Sequence, residues 1–251
     1  MYVGFNLKNV RINAEDEQYK KIMDKHRNDI HSALDKYIAP DQIMNGEKIQ
    51  QEWFPLINAD IFISHSHTDE NLAISLACWL YQNFRLTAFV DSFVWGYADE
   101  LLKQIDDVFC KSDKDHLYDY TKRNYSTSHV HVMLMSALNK MIDNTECIFF
   151  LNTENSVLKK DEFTIETLSP WIYGEIEITR TIQKKEPERK KRIRTFSQGG
   201  RLITENVKVK YPISLGHLTE LNNNMLQKWK NSVTQGKAAL DKLYEIALNK
   251  Q

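Results

Sequence analysis

Two short segments contain the side chains whose types and spacing best suit chemistry. The first is His65-Ser66-His67-Thr68-Asp69, in which two imidazoles and a carboxylate lie close together, as they do in zinc sites. Glu70 stands where a known metal-binding run has a further His, and no other ligands follow at an obvious spacing. The alternative is a loop at the end of a strand, followed by a helix that Thr68 or Asp69 caps. We favour this alternative and predict no metal site.

The second segment is Ser169-Pro170-Trp171-Ile172-Tyr173-Gly174-Glu175-Ile176-Glu177. Pro170 is a favourable first residue of a helix, and such a helix places Trp171 and Glu175 one turn apart on one face. Gly174 inside a helix costs about 1 kcal/mol relative to Ala, which makes sense where another group approaches the backbone closely. The alternative is a Trp in the core and a Glu in solvent, and spacing alone favours that alternative.

The glycine pattern limits the ways in which a nucleotide could bind. The chain has only 8 Gly. Gly236-Lys237 lacks the other residues of a P-loop, and no Gly-x-Gly-x-x-Gly run is present. The sequence therefore excludes both standard phosphate-binding loops, and any nucleotide must be held differently.

Apolar runs that alternate with helical spacing predict the elements that position these segments. The strand-like runs cover 59–64, 86–90 and 146–151, and the helical segments cover 70–84, 97–108, 130–142 and 171–183. Strands that are apolar on both faces and alternate with helices indicate a parallel sheet covered on both sides. Ligands of such sheets bind beyond the carboxyl ends of the strands. We therefore expect three loops to converge on a site: Ser64–Asp69, Asp91–Gly96 and Asn152–Ser156.

The rest of the chain suggests three parts. Residues 1–58 read as an N-terminal helical extension, with an amphipathic helix within 14–38, and a linker. Residues 59–220 form the α/β domain, with a polar, Tyr-rich insertion around 107–128 and later strands at 201–203 and 207–209. Residues 221–251 read as a C-terminal helix packed on the domain.

Composition and charge exclude several classes of protein. The chain has 33 basic and 34 acidic residues and is 42% hydrophobic, which is typical of a soluble globular protein and argues against a nucleic-acid binder. The basic stretch 184–194 lacks interleaved aromatics, so we interpret it as a solvated loop. Neither a membrane span nor a signal peptide is apparent. We therefore expect a cytoplasmic protein with three buried free thiols: Cys78, Cys110 and Cys147.

Four motifs in order over about 59–183 resemble the Toll/interleukin receptor (TIR) domain family. Asp60-Ile61-Phe62-Ile63-Ser64-His65 is similar to its first-strand signature, and Ala88-Phe89-Val90-Asp91 with Trp95-Gly96 is similar to its second strand and following loop. Cys147–Ser156 resembles its third strand and loop, although Asn152 replaces the usual Ser. Trp171-x-x-x-Glu175 resembles the helix that carries the catalytic glutamate of TIR enzymes. The resemblance implies a flavodoxin-like parallel sheet with helices on both faces.

Among TIR proteins, the chain most resembles the free-standing bacterial proteins of antiviral defence. The resemblance implies cleavage of NAD at the nicotinamide–ribose bond, with NAD as substrate rather than cofactor and Glu175 as the catalytic residue. Trp171 would stack on the nicotinamide or its ribose. The resemblance also implies self-association through the loop after the second strand and a downstream effector that reads the product. The other implied substrate-binding residues are Ser64, His65, Ser66, His67, Asp91, Trp95, Gly96 and Asn152.

Two alternatives remain open from the residues. The first is a TIR interaction module that signals by assembly without catalysis. Non-enzymatic members of the TIR family, however, often lack the glutamate that is found here at position 175. The second is a metal hydrolase built on the His65 run. The sequence leaves open whether the product of an enzyme would be ADP-ribose, a cyclised isomer or another ADP-ribosyl conjugate.

Overall fold

The computed structural model describes residues 1–28, 44–111, 117–159, 165–187, 189 and 210–248. These residues form two compact units, one of Met1–Lys20, Asn58–Asp91 and Met141–Gln251, the other of Lys21–Ile57 and Ser92–Lys140. The described strands are β1 (Val3–Lys8), β2 (Ile61–Ser64), β3 (Ala88–Val90), β4 (Cys147–Asn152), β5 (Leu158–Lys159), β6 (Ile165–Thr167), β7 (Tyr211–Ile213) and β8 (Thr219–Leu221). The described α-helices are α1 (Glu17–Asn28), α2 (Gly46–Trp53), α3 (Glu70–Phe84), α4 (Ser92–Phe109), α5 (Tyr120–Asn144), α6 (Pro170–Thr181), α7 (Asn223–Lys230) and α8 (Lys237–Leu248).

The first unit is built on a parallel sheet of five strands in the order β3-β2-β4-β1-β8. Helices flank this sheet, which confirms the predicted α/β class and is consistent with a flavodoxin-like fold. Strands β2, β3 and β4 are buried along almost their whole length, as their continuous apolar runs predict. From β2 the chain passes to β3 on one side, and after β3 it crosses to β4 on the other side of β2. The carboxyl ends of β2 and β4 therefore form the switch point at which ligands bind in open parallel sheets.

Strand β1 differs from the expectation that residues 1–58 form a helical extension and linker. It lies between β4 and β8, and Val3 pairs with Cys147 in register. Val3, Phe5 and Leu7 alternate with smaller residues, and the strand is buried from Val3 to Leu7. A Cβ atom at Gly4 would overlap the Leu218 side chain, so glycine permits the close packing of this strand. The amphipathic helix predicted within 14–38 begins at Glu17, and residues 29–38 lie outside the described residues.

The C-terminal part of the first unit contains elements that the sequence did not predict. Strands β5, β6 and β7 form a small antiparallel sheet. The strands expected at 201–203 and 207–209 lie outside the described residues. The single helix expected within 221–251 is instead two helices, because Val233 and Gly236 adopt positive φ angles of 54° and 57° between them. This break lets Trp229 stack on Phe84 with ring centroids 4.0 Å apart.

The second unit contains α2, α4 and most of α5. Helix α2 is bonded to α5 through Gln50, whose side-chain amide donates to the Met133 carbonyl at 3.0 Å. The buried Asp106 of α4 accepts hydrogen bonds from Arg123 at 2.8 Å and from Ser126 at 2.5 Å. Residues 120–128 of the predicted insertion belong to α5.

The three cysteines are buried free thiols, as predicted. Among the described helices, none is both long enough and apolar enough to cross a membrane.

Candidate active site at the carboxyl edge of the sheet

Helix α6 is fixed at the carboxyl end of the central strands by local capping and by hydrophobic packing. The Ser169 side chain accepts a hydrogen bond from the backbone N–H of Ile172 at 3.2 Å, and Pro170 is the first helical residue, as predicted. Ile172 and Ile176 are fully buried in a cluster with Phe150 of β4. Phe150 lies beside Ser64 in the register of β4 with β2. Glu175 directly precedes Ile176, so this packing brings its side chain to the end of β2.

The Glu175 side chain is fully buried, with 0% exposure. The Ser64 hydroxyl donates a hydrogen bond to Glu175 Oε2 at 2.6 Å. The other carboxyl oxygen, Oε1, is buried and meets no N–H or O–H donor among the described residues. The carboxyl group of Asp91 lies within hydrogen-bonding reach of Glu175. Two acidic side chains therefore face each other in a region from which water is excluded.

The buried position of Glu175 beside Asp91 raises the pKa of its carboxyl group well above the ordinary value. Burial is the largest cause, because it disfavours the charged form, and the negative charge of Asp91 acts in the same direction. The hydrogen bond from Ser64 and the proximity of His65 act in the opposite direction but are weaker. Glu175 is therefore held as a neutral acid at a pH where an exposed glutamate is ionised.

His65 and Asp91 form the other half of the cluster. Asp91 follows β3 directly, and its backbone N–H extends the pairing of β3 with β2 by donating to the Ile63 carbonyl at 3.5 Å. His65 Nδ1 lies 2.5 Å from Asp91 Oδ1, and both side chains are fully buried. Burial lowers the pKa of His65, although the negative charges of Glu175, Glu70 and Asp69 partly oppose this decrease. The buried imidazole and the buried carboxyl group are therefore in direct contact.

The other predicted site residues differ from one another in burial and bonding. Trp171 is half-buried one turn before Glu175, and Ser66 is half-buried in the loop after β2. His67 is exposed in a short turn that ends at Asp69. Trp95 and Gly96 belong to α4, and their side-chain surroundings lie outside the described part of the structure. The amide of Asn152 donates to Asn6 Oδ1 of β1 at 2.9 Å, so in this structure its side chain is bonded to a neighbouring strand.

Sequence analysis did not single out Asp69 as a link between two of the converging loops. The buried Asp69 carboxylate accepts hydrogen bonds from Thr153 at 2.5 Å, Asn155 at 2.7 Å and Ser156 at 3.5 Å. These bonds join the loop after β2 to the loop after β4. The sequence showed a polar loop after each of two apolar strands. It did not show that these two loops contact each other, because that contact depends on the order of the strands in the sheet.

The side chains of the cluster determine whether it can bind a metal ion or stabilise a charge. Within the described residues, no group of three or more His, Cys, Asp or Glu side chains is arranged to hold a metal ion. In particular, His65 is buried beside Asp91 while His67 is exposed, so the two imidazoles of the His65 run differ in their surroundings. A carboxyl supported by a hydroxyl and a second acid can instead stabilise a positive charge once it ionises.

Comparison with known proteins adds no relative to this picture. No family model matches the chain, and neither a curated protein nor a solved structure matches it.

Proposed function

We propose that this chain is a TIR-type enzyme that cleaves the nicotinamide–ribose bond of NAD, with Glu175 as its catalytic residue. The proposal is supported above all by the position of Glu175, a buried carboxyl that is bonded to Ser64 at the switch point of a parallel sheet. Perturbed acids at such positions are characteristic of functional sites. Three residues of the buried cluster, Ser64, Asp91 and Glu175, belong to the TIR-like motifs of the sequence.

The proposed chemistry needs only one carboxylate. Glycosidases that cleave an ether-like bond use an acid to protonate the leaving oxygen and a second carboxylate for the sugar. The nicotinamide ring of NAD is already cationic and leaves as a neutral molecule, so no proton donor is needed. An ionised Glu175 would orient the ribose hydroxyls and stabilise the positive charge that develops on the ribose.

Access to Glu175 requires a movement of the site. Because Glu175 has no exposed surface in this structure, NAD can reach it only if a side chain or loop is displaced. Self-association through the loop after the second strand, which the family resemblance implies, would be one source of that displacement. We therefore expect NAD cleavage to increase with protein concentration. In the cell, the reaction would produce a nucleotide signal or deplete NAD during antiviral defence.

The test is incubation of the full-length protein with NAD, followed by chromatographic detection of free nicotinamide. We expect release by the wild type and a loss of about 10²–10³-fold in Glu175→Gln, because the amide keeps the shape of the carboxyl but cannot ionise. Glu177→Gln is the matched control on the same helix. The Glu177 carboxylate is bonded to Arg180 at 2.8 Å, so its loss should leave cleavage within about twofold of the wild type.

Three outcomes would count against this assignment. An active Glu175→Gln protein would exclude Glu175 as the catalytic residue. Equal losses in the Glu175 and Glu177 variants would indicate a general disturbance of α6. No nicotinamide release at any protein concentration would reject the enzyme.

The second candidate is a TIR interaction module that signals by assembly without catalysis. One observation favours it, since a fully buried and neutral Glu175 is a sealed side chain rather than an open site. The two candidates differ in the nicotinamide assay, because a module would associate with concentration but release no nicotinamide.

A further inference from the structure

The carboxyl groups of Glu175 and Asp91 form an acid pair whose geometry requires a proton. Both side chains have 0% exposure, and they lie within hydrogen-bonding reach of each other. Two ionised carboxylates at this distance would repel each other strongly in the absence of water. One of the two acids must therefore carry a proton, as in other buried carboxyl pairs.

The hydrogen-bond pattern indicates where that proton resides. Asp91 Oδ1 lies 2.5 Å from His65 Nδ1, so the acid is in direct contact with the imidazole. Glu175 receives one bond at Oε2 from Ser64, while Oε1 meets no donor among the described residues. A proton on Oε1 converts this atom into a donor, and Asp91 is the acceptor within reach. The chain of donors then runs from Ser64 to Glu175 to Asp91, and His65 contacts Asp91 from the other side.

We propose that Asp91, anchored by His65, is a positioning residue that shares one proton with Glu175 until a cationic ligand displaces it. The release step rests on the proposed function. When the nicotinamide ring of NAD enters, the O–H bond of Glu175 breaks, its electron pair stays on Oε1, and the proton passes to solvent. The charge of the acid pair changes from one negative to two, and the cationic ring compensates the second. A neutral reduced dinucleotide gives no such compensation and would not displace the proton.

The titratable groups that face this pair come from several elements. Glu175 on α6 faces Asp91 after β3 and His65 after β2. His65 also experiences the charges of Glu70 at the start of α3 and of Asp69 in the preceding turn. Among these charged groups, Asp91 is the acid that opposes ionisation of Glu175.

The first test needs neither NAD nor activity. Infrared spectra of the whole chain, with isotope-labelled glutamate carboxyl groups, are recorded in a titration upward from about pH 4.3, in which exposed glutamates lose their protons first. We expect a protonated-carboxyl band that shifts with the label and is lost in Glu175→Gln. In Asp91→Asn, we expect the same band to titrate about 1–3 pH units lower, because the like charge is removed and the amide donates to Glu175.

Asp106→Asn is the matched control, since Asp106 is equally buried but is paired with Arg123. It should leave the band and its titration unchanged. A wild-type protein in which this band titrates no higher than an exposed glutamate would overturn the proposal, and that measurement holds even if Asp91→Asn fails to fold. An unchanged titration in a folded Asp91→Asn protein would overturn it as well.

The second test concerns the release of the proton on binding. In the wild type, we expect the KM for NAD to fall about tenfold per pH unit on the acid side of the titration, since one proton leaves when NAD binds. In Asp91→Asn this limb should move to lower pH with the infrared band, whereas a purely structural role would lower kcat at all pH values alike. A KM that is independent of pH would overturn the release step. If no NAD is cleaved, the proposed function fails, and the infrared band still decides whether the acids share a proton.

Discussion

The two ends of the parallel sheet in the first unit both carry buried acids, but they pair them with different side chains. At the amino end, the nearly buried Glu146 carboxylate accepts hydrogen bonds from Arg189 at 3.0 Å and Tyr244 at 2.8 Å. Lys237 lies between this residue and Asp60, at 3.5 Å and 2.8 Å from their carboxylates. At the carboxyl end, Glu175 faces a second acid, and the described residues give it no ion pair with a Lys or Arg.

This difference separates a stabilising cluster from a reactive one. Acids that meet Lys and Arg are held in their charged form at little cost. Glu175 is buried beside another acid, so its charged form is disfavoured and its ionisation costs free energy in the folded state. Clusters of the second kind are retained mainly where they have a function. The Tyr, Lys and Arg residues at the amino end are therefore a built-in reference against which the carboxyl end can be tested.

The largest difference in stability is expected when the same substitution is made at the two ends. Glu146→Gln leaves Arg189 and Lys237 without their shared acceptor, and we expect a loss of about 2–3 kcal/mol in the free energy of unfolding. Glu175→Gln replaces a neutral acid by a neutral amide, so no comparable loss is expected. Urea unfolding of both variants measures the difference, and Glu220→Gln, which breaks an exposed pair with Lys8, should cost less than about 1 kcal/mol. Equal losses in the Glu146 and Glu175 variants would remove the distinction between the two ends.

The sequence was informative where elements are local. The runs before Ser64, Asp91 and Asn152 predicted β2, β3 and β4, and the Ser169-Pro170 pair predicted the start of α6. Strand β1 was not predicted, because Gly4 and Asn6 interrupt its run of apolar residues. Its identity depends on pairing with β4, more than a hundred residues away in the sequence. Such contacts leave almost no local trace.

For the site, the sequence indicated which residues meet but not what each one bonds. Ser64, His65, Asp91 and Glu175 were all named as candidates, and the structure brings them into one cluster. The bond between Asn152 and Asn6 could not be foreseen, because it requires β1 beside β4. The protonation of Glu175 was equally inaccessible, since it depends on burial and on a facing acid rather than on residue type.

The next difference is one of pH dependence. The pKa of Glu175 is higher in the folded state than in the unfolded state, so the folded protein loses stability as pH rises above about 4.3, the ordinary value of a glutamate. Glu175→Gln lacks this titration, and its advantage should grow by about 1.4 kcal/mol per pH unit until the folded-state pKa is reached. The comparison of the two proteins begins just above about pH 4.3, and the titration of His65 is common to both of them.

Lys237→Met provides the opposite end of this pH comparison. Burial alone would lower the pKa of Lys237, but its bonds to Asp60 and Glu146 outweigh burial and raise it. Its stabilising contribution is therefore present throughout the neutral range and is lost only above about pH 10. The stability difference between wild type and Lys237→Met should stay constant where that of Glu175→Gln grows. A flat difference for Glu175→Gln would show that Glu175 is already ionised in the folded protein.

The smallest effect is expected from Ser64→Ala, and its direction is the informative part. The Ser64 hydroxyl donates to Glu175 Oε2 at 2.6 Å and so favours the ionised acid, whereas Asp91 favours the neutral one. Removal of the hydroxyl should raise the pKa of Glu175 further, by about one unit or less, and should shift its infrared titration to higher pH. Ser156→Ala is the matched control, since this buried hydroxyl at the same edge is bonded to Asp69 instead. A shift to lower pH in Ser64→Ala would mean that the hydroxyl supports the neutral acid, and the donor order from Ser64 to Glu175 to Asp91 would then be wrong.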